Sequence, residues 1–452
     1  MAAGTGIASA AVLLLGACTG ADGSRQPPAR TERTRPNVLI ILTDDQFQGT
    51  LSSMPRTRFW FEEHGTRYTN AIVSSPLCCP SRASILSGRY VHNHQVLRNN
   101  LGPKLDSQST IQKYLQDAGY RTGLAGKLLQ GVDPASNPDH WDTWATSLWG
   151  YYNATFNIDG KAGTIVEKYS VDFIRQRAKR FLRQTESRDD QPWFLYLAPV
   201  APHLPYQPAD RYEGVDVPEL RITPPFIEED RSDKPPFVRR SRYPLAAGES
   251  QRKKMIRTLI SVDDLVDSTM KALGKLDERR ETLAFFLSDN GHLLGQHGLF
   301  AKRLPYRAAI EISFLVRWPG HLPENESRDR LVSTIDILPT ILEAAGVEPQ
   351  AEYPLDGHSL LGDSQREFVL VEQYGNTIKG LPDWSSIRND SFQYTEYRKG
   401  DRVVLREYYD MKNDPWQLEN LLGDADHDND PDAAALQAEL EAARTCEGSN
   451  CP

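Results

Sequence analysis

The sequence has little uninterrupted hydrophobicity at its start. Ile7 to Leu15 is apolar but falls far short of the roughly 20 residues that a membrane-spanning helix needs. Positive charge is also scarce, and the 452-residue chain carries a formal net charge of −9. That balance argues against nucleic acid as a partner, because phosphate binding needs clustered Lys and Arg. An anionic ligand would have to be drawn in by a local cationic pocket rather than by the global field. Cysteine is sparse, at five residues. Cys446 and Cys451, with four residues between them at the end of the chain, have a spacing that suits a small terminal disulfide. Cys78 and Cys79 are adjacent and poorly placed to bond each other, so they require another explanation. No internal repeat is present.

What is there reads as a soluble globular protein of two or three domains. Leu15-Gly16-Ala17-Cys18 closes the leading apolar stretch and resembles a bacterial lipobox, in which Cys18 would become the acylated N-terminus. Residues 1–18 are therefore expected to be a signal segment and 19–35 a polar tether. An exported chain, secreted or anchored to a membrane by lipid, is the expected outcome. The absence of Lys and Arg before the apolar run departs from that pattern.

From Pro36 onward, short apolar runs alternate with helix-like stretches. Asn37–Leu42, Trp193–Ala198, Thr282–Leu287 and Ser313–Trp318 have the length and composition of strands buried on both faces. Thr110–Ala118, Val171–Arg183 and Arg252–Leu276 show helical spacing of apolar residues. This alternation predicts an α/β fold with a mainly parallel sheet covered by helices on both faces. Residues 205–248, rich in Pro, Arg and acids, read as a long surface excursion near a substrate entrance. After Gly346 the alternation weakens. Four shorter runs, at 368–373, 384–388, 392–397 and 403–408, and a helix at 432–444 predict a smaller α+β domain with an antiparallel sheet. The expected boundaries are 36–346 and 347–452.

Chemistry is expected where strands end. Asp44-Asp45 follows the first strand, and Asp289-Asn290 follows the strand ending at Leu287. Four oxygen-bearing side chains from two strand ends suit Ca²⁺ or Mg²⁺ better than Zn²⁺. An Asp pair after a strand is, taken alone, more often a helix cap. Cys78-Cys79-Pro80-Ser81-Arg82-Ala83-Ser84-Ile85-Leu86-Ser87-Gly88 changes that balance. It resembles, at every fixed position, the signature of formylglycine-dependent sulfatases. Further stretches are similar to that family's landmarks in their usual order: Arg35–Gln46, Gly119–Lys127, Ala201-Pro202-His203, Ser288–Gly291 with Lys302, Val332–Gly346, Leu355–Ser359 and Tyr409–Pro415.

The resemblance implies an alkaline-phosphatase-like fold and a sulfuric ester hydrolase. A formylglycine-generating enzyme would oxidise Cys78 to formylglycine, and Cys79 would fill the variable position. Asp44, Asp45, Asp289 and Asn290, with the residue at 78, would hold one Ca²⁺ (or Mg²⁺) per chain. Arg82, Lys127 and Lys302 would neutralise the sulfate group. By the family's mechanism, one hydroxyl of the hydrated aldehyde attacks sulfur and displaces the alcohol. Loss of the second hydroxyl's proton then expels sulfate and restores the aldehyde. His203 or Lys302 would protonate the leaving oxygen.

The family often places Trp-His after the Gly-Lys motif, but here Leu128 and Leu129 follow Lys127. Gln130, His92 and His94 are the candidates for the missing histidine's work, with a structural role favoured for the two histidines. The same departure occurs in N-acetylglucosamine-6-sulfatases and heparan endosulfatases. Those proteins also share features resembling Val91–His94, Trp141-Asp142-Thr143-Trp144 and Tyr151-Tyr152-Asn153. A sulfated glucosamine in a glycan is the expected substrate, although these features could equally serve packing. No heparin-binding basic domain accompanies them. Competing readings are a formylglycine phosphonate or phosphate monoester hydrolase of the same fold and a non-catalytic glycan-binding lipoprotein. A zinc phosphatase is disfavoured by Asp289-Asn290 and by the nucleophile context. Asp424–Asp430 starts like a calcium loop but lacks the glycine turn and the bidentate acid, so a solvated loop is expected. Asn153-Ala154-Thr155 is a glycosylation sequon, without meaning in a bacterial lipoprotein.

Overall fold

A computed structural model describes residues 1–6, 35–147, 149–185, 191–363, 365–375 and 381–452. The expected signal segment beyond Gly6, Cys18 and the tether up to Thr34 lie outside the described residues. Thr34–Pro452 forms one unit of dense internal contact, separate from Met1–Arg33.

The strands follow in chain order as β1 (Asn37–Thr43), β2 (Thr66–Ile72), β3 (Arg121–Gly126) and β4 (Thr143–Thr146). Next come β5 (Ala154–Ile158), β6 (Lys161–Val166), β7 (Trp193–Ala198), β8 (Thr282–Ser288), β9 (Leu293–Leu294) and β10 (Phe300–Ala301). The last are β11 (Phe314–Arg317), β12 (Glu326–Ser333), β13 (Val369–Gln373), β14 (Asp383–Arg388), β15 (Phe392–Lys399) and β16 (Arg402–Asp410). One sheet takes ten of them in the order β12-β2-β11-β8-β1-β7-β3-β4-β5-β6. Neighbours are parallel except where β11 meets β2 and β8 and where β5 meets β4 and β6. Only β5 and β11 therefore run against the rest, and the mainly parallel expectation holds.

β1 shows why the centre of the sheet is apolar throughout. Its side chains alternate between faces: Val38, Ile40 and Leu42 join one core, and Leu39 and Ile41 the other. The first core holds Ala83, Ile85 and Leu86 from helix Cys78–Ser87, Leu115 from helix Ile111–Asp117 and Ile341 from helix Ile337–Ala345. The second holds Ile174 and Phe181 from helix Ser170–Thr185, and Leu259 and Val262 from helix Leu245–Lys275. Fully burying each such side chain contributes roughly 1.5–3 kcal/mol. Helices on both faces are thus required to keep water from both.

The excursion after Pro205 ends earlier than the sequence suggests. The long helix begins at Leu245, directly after Pro244, and runs through Gly248. Gly248 fits there because a Cβ would come within 1.8 Å of the Leu294 carbonyl oxygen. The smaller sheet, β13-β14-β15-β16, is antiparallel throughout. Its buried Glu407 accepts hydrogen bonds from Tyr306, Tyr397 and Tyr409. The last helix, Ala433–Ala443, is capped by Asp432, whose carboxylate accepts from the Ala435 amide at 3.0 Å. Asp424–Asp430 is exposed, as a solvated loop should be. Cys446 and Cys451 form a disulfide. Among the described residues, no helix is long and apolar enough to cross a membrane.

Candidate active site

β1 and β8 pair in register from Asn37 opposite Thr282 to Thr43 opposite Ser288. Their next residues, Asp44-Asp45 and Asp289-Asn290, therefore emerge together. The Asp289 amide donates to the Thr43 carbonyl at 3.0 Å. The Asp45 amide donates to the Asp289 carboxylate at 3.1 Å. All four side chains are buried.

Helix Cys78–Ser87 brings the signature to the same place, with all ten of its residues buried. Cys78 Sγ lies 3.3 Å from Asp44 Oδ1 and 3.7 Å from Asp45 Oδ1. Ser81 Oγ donates to the Asp289 carbonyl, tying the helix to the end of β8. The next residue, Arg82, donates through Nε to Asp289 Oδ2 at 2.8 Å and through Nη1 to the Lys127 carbonyl at 2.8 Å. Arg82 Nη2 sits 3.6 Å from Asp44 and has no hydrogen-bond partner although buried.

Lys127 directly follows β3, whose last residue, Gly126, permits a close approach. Its φ is +117°, and a Cβ there would fall 2.0 Å from the Ala198 carbonyl oxygen. The Lys127 amide then donates to that carbonyl at 2.8 Å, and its ammonium pairs with Asp44. Lys302, just after β10, pairs with Asp45, and its Nζ lies 2.7 Å from Cys78 Sγ. His203 follows β7, with Nε2 3.5 Å from Asp45 Oδ2. Its Nδ1 donates to the Leu204 carbonyl at 2.8 Å, which fixes a proton there. Its own carbonyl is held by the buried Tyr151 hydroxyl at 2.6 Å. The structure thus gathers Asp44, Asp45, Cys78, Arg82, Lys127, His203, Asp289, Asn290 and Lys302 around one point.

Burial works against ionising Asp44, but Lys127, His203, Arg82 and Lys302 outweigh it and hold the carboxyl well below the usual range. Asp45 is lowered in the same way, against burial, by Lys302 and His203. Asp289 moves the other way, raised by burial and by Asp44. Burial and Asp44 also push the Cys78 thiol far above its ordinary value. An unmodified thiol there is held protonated, which makes it a poor nucleophile. Lys302 is raised because, against burial, the Asp45 carboxylate holds its charge.

The stand-ins for the missing histidine fall elsewhere. His92 bonds Glu372 through Nδ1 and the Cys446 carbonyl through Nε2, each at 2.9 Å. His94 bonds Ser84 Oγ at 2.9 Å and accepts from the Val96 amide at 3.1 Å. Gln130 meets Cys79, whose Sγ lies 3.6 Å from its carbonyl. Both histidines are thus hydrogen-bonded to groups outside the cluster. Trp141 packs on Phe194 and Tyr196, and Asp142 accepts from the Thr122 amide at 2.7 Å, so that motif serves packing.

Two residues at the site were not anticipated. His292 is buried with Nδ1 3.7 Å from Asp45 Oδ2, and its Nε2 bonds the Tyr206 hydroxyl at 3.1 Å. Burial lowers it to about 4, keeping the ring neutral. Trp149, 47% exposed, lies 4.9 Å from the His203 ring, with Lys127 Nζ 5.0 Å from its centroid.

Carboxylates and cations gathered at the strand ends of this sheet suit the hydrolysis of a charged ester, and sequence similarity gives the family. The sulfatase family profile matches residues 36–347, and one described as "N-sulphoglucosamine sulphohydrolase, C-terminal" matches 295–445. The chain belongs to the sulfatase family. Human N-acetylglucosamine-6-sulfatase is 32% identical over 97% of this chain and 89% of its own length. A Caenorhabditis elegans extracellular sulfatase Sulf-1 homolog is 35% identical over 86% of this chain, which spans 58% of that protein. Solved structures share the fold. One, in complex with its substrate D-glucosamine-2-N,6-O-disulfate, superposes with a TM-score of 0.79 at 22% identity, covering 90% of this chain and 97% of its own. A phosphonate monoester hydrolase from Silicibacter pomeroyi gives 0.72 at 20% identity, covering 91% and 96%.

Proposed function

We propose that this sulfatase removes sulfate from a sulfated glucosamine in a glycan, using formylglycine made from Cys78 and one hard divalent cation. The observation that carries the reading is the meeting of Asp44, Asp45 and Lys302 on Cys78 Sγ, with Arg82 and Lys127 behind them. The donor set fits Ca²⁺ or Mg²⁺, being carboxylates plus the Asn290 amide oxygen, which is buried without a hydrogen-bond partner. Asp44, Asp45, Asp289 and Asn290 would hold the ion, which would supply Lewis acidity and charge neutralisation. Formylglycine, once hydrated, would supply the nucleophilic hydroxyl.

The chain's own groups divide the remaining work. Three carboxylates (Asp44, Asp45, Asp289) balance three cations (Arg82, Lys127, Lys302). A divalent ion would leave the pocket net positive inside an acidic protein, so an anionic ester is attracted locally. The unpartnered Arg82 Nη2 offers a donor to such an anion. His203 already carries a proton at Nδ1. When it takes a second at Nε2, it presents that proton toward the cluster, where a leaving oxygen would need it.

Maturation would require a formylglycine-generating enzyme, and the leading segment would export the chain, with Cys18 as a lipid anchor. Substrate choice draws support from the relative that acts on N-acetylglucosamine 6-sulfate by name. The test is a panel of N-acetylglucosamine 6-sulfate, nitrophenyl sulfate and an aryl phosphonate monoester. Turnover dominated by the sulfates supports the reading, and turnover dominated by the phosphonate replaces it.

A further inference from the structure

A cavity of about 660 Å³ shares one residue, Trp149, with the surroundings of the catalytic cluster, and its size is within the roughly 300–1,000 Å³ typical of small-molecule sites. Trp149 belongs to both places. Its indole meets His203 and Lys127, and it also lines the cavity with Leu128, Val132, Pro138, Tyr152 and Phe156. Leu128 occupies the position immediately after Lys127, where the family's Trp-His is missing. Among the described residues lining the cavity the only charged one is Asp133, and none is Lys, Arg or His. The cavity is therefore apolar and, if anything, slightly negative, in contrast to the cationic cluster beside it.

We propose that this cavity is the subsite for the alcohol side of the ester, with Trp149 as its stacking platform. It selects an uncharged group with an apolar face, such as an N-acyl sugar, over an anionic one. The inference rests on the sulfatase reading, because it takes His203 as the donor to the leaving oxygen. An alcohol held at His203 lies close to Trp149, whose ring is 4.9 Å from that of His203 and which also lines this cavity. The C–H face of a sugar ring or an amide methyl gains contact with an indole and aliphatic walls. An N-sulfo group or a uronate would lose its hydration against those walls and find Asp133 instead of a cation.

The closing experiment compares two sugars that differ at one substituent, N-acetylglucosamine 6-sulfate and D-glucosamine-2-N,6-O-disulfate, on enzyme carrying the oxidised Cys78. The expected kcat/KM favours the acetylated sugar by about tenfold or more. Ala162→Lys, an exposed position on the cavity wall, should shrink or reverse that preference. Trp149→Ala should raise KM for the acetylated sugar by roughly two- to tenfold, leaving inhibition by inorganic sulfate unaltered, and Trp149→Phe should restore most of the loss. Equal or better turnover of the disulfate overturns the proposal, as does a Trp149→Ala defect confined to kcat. A second measurement needs no turnover. Calorimetry on protein with unmodified Cys78 should show N-acetylglucosamine binding more tightly than glucosamine N-sulfate, and Trp149→Ala should weaken it. Binding of neither sugar, or preference for the sulfated one, overturns the cavity assignment. If the predicted binding is found but no sulfate ester is turned over, the reaction assignment fails and the cavity assignment stands.

Discussion

At the scale of single residues, the proton budget of His203 separates it from Lys302. Its Nδ1 proton is committed to the Leu204 carbonyl, so only Nε2 can serve a leaving group. His203→Ala should lower kcat for a sugar sulfate by about 10²–10⁴-fold, and that for nitrophenyl sulfate far less, because phenolate leaves unaided. Lys302→Ala should slow both substrates by about 10²–10³-fold, since its charge lies at the reacting centre itself. Parallel assays of both variants on both substrates check the division, and equal losses for His203→Ala would move the acid elsewhere. His92 offers a stability test away from the site. Burial opposes its charge, but the hydrogen bond and charge of Glu372 and the Cys446 carbonyl raise it above 6.5. A histidine raised in the folded state stabilises below its unfolded value, and that contribution is lost as pH rises through the folded value. His92→Gln should therefore cost about 1 kcal/mol near about pH 5.5 and less near about pH 8.5 in denaturant melts.

Residues of the site were legible where chemistry required them to be contiguous. Asp44-Asp45, Asp289-Asn290 and the Cys78–Gly88 stretch could be read because a strand end or a helix start presents neighbouring side chains to one point. His292 and Trp149 were missed because each reaches the cluster as a lone side chain. The tie of Tyr151 to the His203 carbonyl likewise spans 52 positions and leaves no local pattern.

At the scale of elements, close approach between backbones decides what the site tolerates. Gly248 lies inside a 31-residue helix, where glycine ordinarily costs about 1 kcal/mol against alanine. Here the order reverses, because a methyl would collide with the Leu294 carbonyl. Gly248→Ala should destabilise the fold by about 1–3 kcal/mol, measured as a drop in thermal midpoint, whereas a gain in midpoint would show that the helix can shift. The long amphipathic helices and the doubly buried strands β1, β7 and β8 were readable from periodicity and apolar length. β12 was not: its first residues, Glu326-Ser327-Arg328-Asp329-Arg330, are polar, and burial is confined to Val332 and Ser333 at its end. Charged edge strands of this kind resist open-ended pairing, and they carry no hydrophobic signal.

At the scale of the whole molecule, an acidic protein gathers three cations and three carboxylates in the buried pocket of its site. Arg82, Lys127 and Lys302 are stable there only beside Asp44, Asp45 and Asp289, since an unpaired buried charge is costly. Removing a resident divalent ion should therefore abolish turnover without unfolding the chain. Chelation should be reversed by Ca²⁺ or Mg²⁺, and metal analysis should return one such ion per chain, lost in Asn290→Ala. Two zinc ions per chain would instead favour phosphatase chemistry.

The most direct test of the account follows the state of Cys78. Protein is prepared with graded co-expression of a formylglycine-generating enzyme, and the peptide spanning Cys78 is weighed in each preparation alongside turnover of N-acetylglucosamine 6-sulfate. The account predicts that turnover rises in proportion to the aldehyde fraction and extrapolates to zero at none, with Cys79 a thiol throughout. Full turnover by protein whose Cys78 is entirely unmodified would contradict it.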